Sequence, residues 1–131
     1  MPSTIPIQTD KAPAAIGPYA QGRTGAGLVF VSGQLGFDPV TGAFRGEDLA
    51  SQALQALANL QAVLQAGGCC LEDVAAVDVF LTDMIDFVEF NQIYQDFFGD
   101  HKPARAVVAV KALPKGGRVE IKCVAVKASD A

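Results

Sequence analysis

The sequence predicts an α+β fold in which two helices pack on one face of a mixed β-sheet. Short β-branched runs bounded by glycine or proline predict strands, and two stretches with apolar residues at helical spacing predict helices. No internal repeat, low-complexity tract or charged linker divides the 131 residues, of which 50% are hydrophobic. We therefore expect a single domain over residues 1–131 with one buried core.

The N-terminal half predicts one strand and one long helix. After an extended stretch to about Pro18, the glycine-bounded apolar run 28–32 predicts a buried strand, and a turn follows at 37–42. A helix is expected from about Glu47 to the glycine pair at 67–68. Its apolar face comprises Leu49, Ala53, Leu57, Leu60 and Leu64, with Gln52, Gln55 and Asn59 on another face.

The second predicted helix carries a clear start signal. Asp86 can cap it, Glu89 completes a capping box, and Ile85 can pack on Phe90 as a hydrophobic staple. Gly99 ends it. Its apolar stripe comprises Phe87, Phe90, Tyr94 and Phe97.

The remaining strands predict a sheet that is apolar on both faces. Strands are expected at 74–81, at roughly 104–111 and at 118–127. The AVVAV run at 106–110 offers apolar side chains on either side, and two helices can cover only one. We therefore expect subunits to associate through the second face.

Charge and residue inventory exclude several classes of function. The formal net charge is −4 and the basic residues are scattered, which argues against nucleic acid as a partner. No apolar run is long enough to span a bilayer and no targeting segment is apparent, so we expect a cytoplasmic protein with no membrane partner. Three cysteines and one histidine suit neither a disulfide framework nor a metal site, so no metal is expected.

Two charged residues stand in apolar strands and are candidates for chemistry. Arg105 begins a strand, where it either grips the carboxylate of a small α-keto or α-imino acid, or lies exposed or paired with Glu120. Glu120 shares its strand face with Lys122. In a partly apolar pocket it can hold and deprotonate a water or return a proton to a leaving amine; otherwise it faces solvent.

Weaker candidates lie in three short motifs. Tyr19 in GPY, and Ser32 with Gly33 in SGQ, place a phenol and a hydroxyl beside glycines that permit close backbone approach to a ligand. Tyr19 can equally cover the core, and Ser32 can satisfy a strand-end hydrogen bond. Asn91 lies beside the aromatic stripe of the second helix, where a solvated residue is its ordinary explanation.

Taken together, these segments resemble the Rid family of reactive intermediate deaminases, formerly YjgF. PAR at 103–105 with the apolar run after it, and VEI at 119–121, resemble the C-terminal signature of that family. The segments APAAIGPYAQG at 12–22, VSGQLGFDPVTG at 31–42 and FNQIY at 90–94 extend the resemblance over nearly the whole chain.

The resemblance implies a chorismate-mutase-like fold and a homotrimer with sites in the clefts between subunits. It implies a 2-iminobutanoate/2-iminopropanoate deaminase, which hydrolyses small 2-imino acids to 2-keto acids and ammonia without a cofactor, before such intermediates damage pyridoxal-phosphate enzymes. By motif, Arg105 binds the substrate carboxylate and Glu120 positions and activates the water. The residues implied to line the cleft are Tyr19, Ser32, Gly33 and Asn91, with backbone groups around Val107 orienting the imine.

Two departures from the family pattern bear on specificity. Many relatives have a cysteine where this chain has Val107, which excludes a thiol role there. The connection 99–102 is shorter than in many bacterial members, and its residue His101 either touches a neighbouring subunit or, as its ordinary explanation, is solvated. Two alternatives stay open: a non-catalytic module that binds keto acids or related metabolites, and an endoribonuclease or translation inhibitor. The acidic balance and the lack of a histidine pair argue against the latter.

Overall fold

One mixed sheet organises the chain, as predicted. A computed structural model describes residues 2–128. The sheet order is β1-β2-β3-β6-β4-β5; β4 and β5 are parallel and joined through α2, and the other neighbouring strands are antiparallel. The elements are β1 (Ile5–Ile7), β2 (Gly22–Gly25), β3 (Leu28–Gln34), α1 (Leu49–Ala66), β4 (Val74–Leu81), α2 (Phe87–Phe98), β5 (Ala104–Ala109) and β6 (Val119–Val126).

The N-terminal half contains two strands that the sequence does not predict. β1 lies inside the stretch expected to be extended, and β2 has the sequence GRTG, which lacks a β-branched run. A two-residue loop joins β2 to β3, with φ of 53° at Ala26 and 77° at Gly27. Such loops match the right-handed twist of paired strands. Pairing with a neighbouring strand, β3 for β2 and β2 for β1, therefore makes these strands rather than local propensity.

Helix α1 confirms the predicted apolar face, because all five of its residues are buried. Asp48 caps the helix by accepting a hydrogen bond from the Ser51 N–H at 3.0 Å. Gln52 and Asn59, placed on another face, are nonetheless buried. The Asn59 amide donates to the carbonyls of Leu35 and Phe37 at 3.0 and 2.9 Å, which satisfies its polar atoms inside the core.

Helix α2 begins as predicted but without the predicted cap or staple. A 3₁₀ turn precedes the helix and gives Asp86 helical torsions, with φ −78° and ψ −6°, so its side chain makes no capping bond. The Asp86 carboxylate instead pairs with Arg118 at 3.2 Å. Ile85 is 81% exposed, so it cannot act as a staple. Of the predicted stripe, Phe90 and Tyr94 are buried, and Phe87 and Phe97 are partly buried against the core. Phe98, which was not predicted to belong to the stripe, is buried as well.

The sheet has one covered face and one open face. The helices pack against alternate residues of the central strands, such as Val79 and Ile121, which are 1% and 0% exposed. On the face without helices, here called the open face, Phe30 is 39% and Val108 is 45% exposed. The prediction that both helices cover one face is therefore confirmed.

Candidate functional site

The two predicted catalytic residues lie on opposite faces of the sheet. Arg105 is opposite Val77 in β4, on the side covered by the helices. Glu120 is opposite Phe80 in β4, on the open face. Because residues directly opposite each other in paired strands share a face, the Arg105 and Glu120 side chains point away from each other. The alternative that Arg105 pairs with Glu120 within the chain is therefore wrong.

Arg105 belongs to a group of side chains between β5 and α2, here called the Arg105 cluster: Phe87, Asn91, Tyr94 and Arg105. The Arg105 Cζ lies 4.7 Å from the Tyr94 ring centroid and 5.9 Å from that of Phe87. Within residues 2–128, the guanidinium makes no hydrogen bond or ion pair. It borders a cavity of about 340 Å³ and remains free to bind an anion.

The other predicted residues near Arg105 have different environments. Asn91 is half-buried and lines the same cavity as Arg105 and Tyr94, so it is not a fully solvated helix residue. Val107 lies on the Arg105 side of β5, opposite Val79, and packs against the core. His101 is not simply solvated, because its Nε2 lies 2.7 Å from the Val74 carbonyl. That contact ties the short 99–102 connection to the start of β4.

Tyr94 is buried deep in the Arg105 cluster. The residue is 7% exposed, and within residues 2–128 its hydroxyl has no hydrogen-bond partner. Burial raises the pKa of the Tyr94 phenol to about 12, although the nearby Arg105 charge opposes the shift. The phenol is therefore neutral at physiological pH, and its ring presents no anion to the guanidinium.

Glu120 belongs to a second group, here called the Glu120 cluster: Tyr19, Ser32, Gly33 and Glu120. These residues border one cavity of about 490 Å³. A register shift between Val31 and Gln34 places a bulge in β3 directly beside β6. A Cβ on Gly33 would lie 2.5 Å from the Glu120 Oε2, so only glycine leaves room for the carboxylate in this position. The glycine of the SGQ motif is therefore required for packing against the Glu120 carboxylate.

The serine of this cluster has a structural partner, and the tyrosine is accessible. The Ser32 hydroxyl donates to the Ala20 carbonyl at 2.6 Å, which fixes the segment that carries Tyr19. This confirms the strand-end hydrogen bond as one role of Ser32, and its oxygen lone pairs can still accept a hydrogen bond. Tyr19 is 53% exposed, so it does not cap the core.

The Glu120 carboxyl is tuned by its surroundings. Burial raises the pKa of Glu120 above its usual value, and the charge of Lys122 on the same strand face partly opposes this. Apolar side chains of Leu35 and Phe37 line the same cavity and reduce hydration of the carboxylate. A carboxylate with a raised pKa is a better proton acceptor than an ordinary exposed glutamate.

Sequence reasoning missed the residues that shape each cavity. Phe87 and Tyr94 were assigned only to the apolar stripe of α2, yet both contact the guanidinium. Their spacing with Asn91 at i, i+4 and i+7 was a usable signal, since such residues share one helix face. No comparable signal indicated that Asn59 holds the backbone of Leu35 and Phe37.

Two features of residues 2–128 concern membranes and metals. Neither helix in this range combines the length and apolarity that a bilayer crossing requires. Across the same range, no three His, Cys, Asp or Glu side chains gather where one metal ion could bind.

Known proteins resemble this chain over almost its whole length. Residues 9–127 match the family described as Endoribonuclease L-PSP. The RutC family protein y4sK of Sinorhizobium fredii is 49% identical over 119 residues, covering 91% of this chain and 94% of that protein. A 2-iminobutanoate/2-iminopropanoate deaminase of Bos taurus is 46% identical over 121 residues, covering 92% of this chain and 88% of the bovine protein.

A solved structure agrees with these sequence matches. YyfA of Yersinia pestis, described as a protein of unknown function of the conserved Rid family, superposes with a TM-score of 0.91 at 38% identity. The alignment covers 94% of this chain and 98% of that one. The chain therefore belongs to the Rid family, formerly YjgF, which is also described as Endoribonuclease L-PSP.

Proposed function

We propose that the protein hydrolyses small 2-imino acids to 2-keto acids and ammonia at a site shared between two subunits. One subunit contributes the Arg105 cluster, and its neighbour contributes the Glu120 cluster. The observation that carries the proposal is that a guanidinium without a partner in residues 2–128 and a carboxylate whose pKa is raised by burial lie on opposite faces of one sheet. The deaminase name of the bovine relative supports the choice of reaction.

Arg105 supplies specificity for a carboxylate beside the reacting carbon. A guanidinium can donate two parallel hydrogen bonds to a carboxylate, and here none of its N–H groups is occupied within residues 2–128. Asn91 borders the same cavity and can add an amide donor or acceptor. The Arg105 cluster thus binds the end of the substrate that does not react.

Glu120 serves as the proton acceptor and donor. An imine carbon is electrophilic, and more so when its nitrogen is protonated. Glu120 accepts a proton from water as the oxygen attacks that carbon, which gives a carbinolamine. It then returns that proton to the nitrogen. The carbon–nitrogen bond breaks as the carbinolamine hydroxyl gives its proton to Glu120, so ammonia and the 2-keto acid are released and Glu120 passes the proton on to solvent. Tyr19 and Ser32 border the space where water and substrate meet.

Assembly through the open face brings the two clusters together in this proposal. The clusters are different surfaces of the subunit, so their contact is head to tail, and a closed ring satisfies every copy. The family resemblance implies a ring of three. Exposed apolar residues of the open face, including Phe30 and Val108, favour burial against another subunit.

The assembly has a matched test. Val108→Asp should convert a trimer seen by sedimentation equilibrium into monomer and abolish turnover, because it places a charge on the proposed interface. Val40→Asp makes the same change at a 91% exposed valine in the turn after β3 and should leave a trimer. A wild-type monomer at micromolar concentration would contradict the shared site.

A ribonuclease activity has less support than imine hydrolysis. The net charge of −4 offers no broad attraction for phosphate backbones. The sole histidine contacts a main-chain carbonyl through Nε2. Neither observation favours acid–base chemistry on RNA, so we do not propose a ribonuclease activity for this chain.

The direct test is ammonia and 2-keto acid release from an imine generated in the assay. A serine or threonine dehydratase forms 2-aminoacrylate, and the wild-type protein should accelerate pyruvate release above the spontaneous rate. Arg105→Ala should remove the acceleration. A correctly assembled wild type that binds 2-keto acids but gives no acceleration would replace the proposal with a metabolite-binding role.

A further inference from the structure

We propose that Phe87 and Tyr94 are positioning residues whose ring faces hold the Arg105 guanidinium and leave its N–H groups free for the substrate carboxylate. The inference rests on the proposed function, since it names what orients the anchor of that site. Cation–π contact with two rings, at 4.7 Å for Tyr94 and 5.9 Å for Phe87, carries it.

A second arginine of the same chain shows what the alternative would be. Arg118 is held by a carboxylate, with its Nη2 3.2 Å from both oxygens of Asp86. A carboxylate partner occupies N–H donors and neutralises the charge. Arg105 has no such partner within residues 2–128, and aromatic faces attract the guanidinium plane without using its N–H groups. Arg118 is therefore suited to structure, and Arg105 to binding.

The aromatic rings that support Arg105 are themselves held in place. Tyr94 packs against Phe98 with centroids 4.6 Å apart and against Phe90 at 5.8 Å. Phe90 is fully buried, and Phe87 is partly buried against the same core. The ring of Tyr94 thus has little freedom to move, and a guanidinium resting on it inherits that order.

The ring of Tyr94, rather than its hydroxyl, supports the guanidinium. The hydroxyl is buried and makes no hydrogen bond within residues 2–128, so removing it breaks no contact with Arg105. Tyr94→Phe therefore keeps the ring face, whereas Tyr94→Leu removes it at similar apolar character. Phe87→Leu is the corresponding change at the more distant ring.

The kinetic test separates positioning from a general effect on folding. We expect Tyr94→Leu and Phe87→Leu to raise KM for the imino acid by about 3–30-fold with kcat changed by less than about threefold, as loss of an oriented anchor implies. Tyr94→Phe should stay within about twofold of wild type. Phe97→Leu is the matched control, because Phe97 is partly buried against the core and stacks edge-on with Phe98. It should leave KM unchanged.

Two readouts do not depend on turnover. Ring currents should shift the Arg105 Hε and Hδ signals upfield in wild type, with assignment by Arg105→Lys, and the shift should shrink in both leucine variants. Calorimetry with 2-ketobutanoate should show the same 3–30-fold weakening in those variants, by about the energy of a cation–π contact. A wild type that binds 2-ketobutanoate in this way without deaminating would overturn the proposed function and still support this inference.

Two results would overturn the inference. One is unchanged 2-ketobutanoate affinity in folded, assembled Tyr94→Leu and Phe87→Leu. The other is damage by Tyr94→Phe as large as that by Tyr94→Leu, which would assign the role to the hydroxyl. If Tyr94→Leu does not fold, Phe87→Leu decides alone, because its ring is only partly buried.

Discussion

The Arg105 cluster and the Glu120 cluster use opposite strategies to keep a charge reactive. The cation lies at the exposed start of an edge strand and rests on aromatic rings from a rigid helix. The anion lies at a strand bulge beside a glycine, and burial raises its pKa. Because the sheet separates them, neither charge cancels the other within a chain. A cation that binds a carboxylate needs free N–H donors, whereas a carboxylate that accepts a proton needs partial desolvation.

The clusters also differ in what holds them. Aromatic packing within α2 fixes the ring beneath Arg105. Hydrogen bonds from Ser32 to the Ala20 carbonyl and from Asn59 to the carbonyls of Leu35 and Phe37 fix the walls around Glu120. Substitutions should therefore act on binding in one cluster and on the chemical step in the other.

The largest expected effect is at Arg105. Arg105→Ala should lower kcat/KM by about 10²–10³-fold, since it leaves the substrate carboxylate without its charged partner. The kcat/KM of Arg105→Lys should lie between the values of wild type and Arg105→Ala, because an ammonium keeps the charge but cannot form the paired hydrogen bonds. Arg45→Ala, at an exposed arginine outside both clusters, is the control. Equal kcat/KM values for Arg105→Ala and Arg45→Ala would show that Arg105 does not belong to the site.

Glu120→Gln should act on the chemical step. We expect kcat to fall by about 10²-fold while the affinity for 2-ketobutanoate, measured by calorimetry, stays within about threefold of wild type. An equal loss of affinity and kcat would make Glu120 a binding residue. The two clusters would then not differ in their roles.

Gly33→Ala tests whether the bulge positions the Glu120 carboxylate. The new methyl would lie 2.5 Å from the Glu120 Oε2 and must displace it. We expect kcat to fall by about tenfold with the fold retained. In the Glu120→Gln background the same change should add little, because the displaced group has already lost its role. Additive losses in that double-mutant cycle would refute this coupling.

Lys122→Gln should shift the pH dependence. Lys122 lowers the pKa of Glu120, so its removal should raise that pKa further. Because the carboxylate is the active form in the proposed reaction, kcat/KM should be lost at a higher pH as the solution is acidified. A pH–rate profile with an acid limb that stays in place would show that Glu120 is not the titrating group.

The smallest expected effect is on stability. Burial raises the pKa of Glu120 in the folded state above its pKa in the unfolded state. Ionised Glu120 therefore lowers the free energy of unfolding when the pH is above the unfolded-state pKa. Below that pKa the carboxyl is protonated in both states and the cost disappears. Glu120→Gln should therefore raise the melting temperature at pH 7 by on the order of 1–3 °C, and the gain should fade near pH 4. A rise in melting temperature that becomes larger toward acid pH would contradict the raised pKa of Glu120.

Periodicity and motif predicted the regular elements well, whereas the candidate site residues that the motifs name stay predictions. The apolar face of α1 and strand β4 follow from spacing alone, because burial against one sheet imposes that spacing. The predicted cap at Asp86 is wrong because the 3₁₀ turn before α2 gives Asp86 helical torsions, and its carboxylate pairs with Arg118, which is distant in sequence. β2 was missed because its neighbour β3 supplies the pairing.

The motifs named site residues without their arrangement. Alternation placed Glu120 beside Lys122 on one strand face, but the face of Arg105 relative to Glu120 depends on the register of β4 with both β5 and β6. Likewise, the contact of Arg105 with Tyr94 depends on how α2 crosses the sheet. Both arrangements depend on tertiary structure, which no local sequence pattern predicts.

The most direct test of a shared site is complementation between inactive subunits. Arg105→Ala and Glu120→Gln chains, co-expressed in equal amounts and purified together without separating mixed from unmixed oligomers, should regain about one quarter of wild-type activity, since random mixing leaves both residues intact in that fraction of sites. Native mass spectrometry establishes the mixing. Recovery of about a quarter supports one site built from two subunits, whereas activity no greater than that of the separate variants would contradict it.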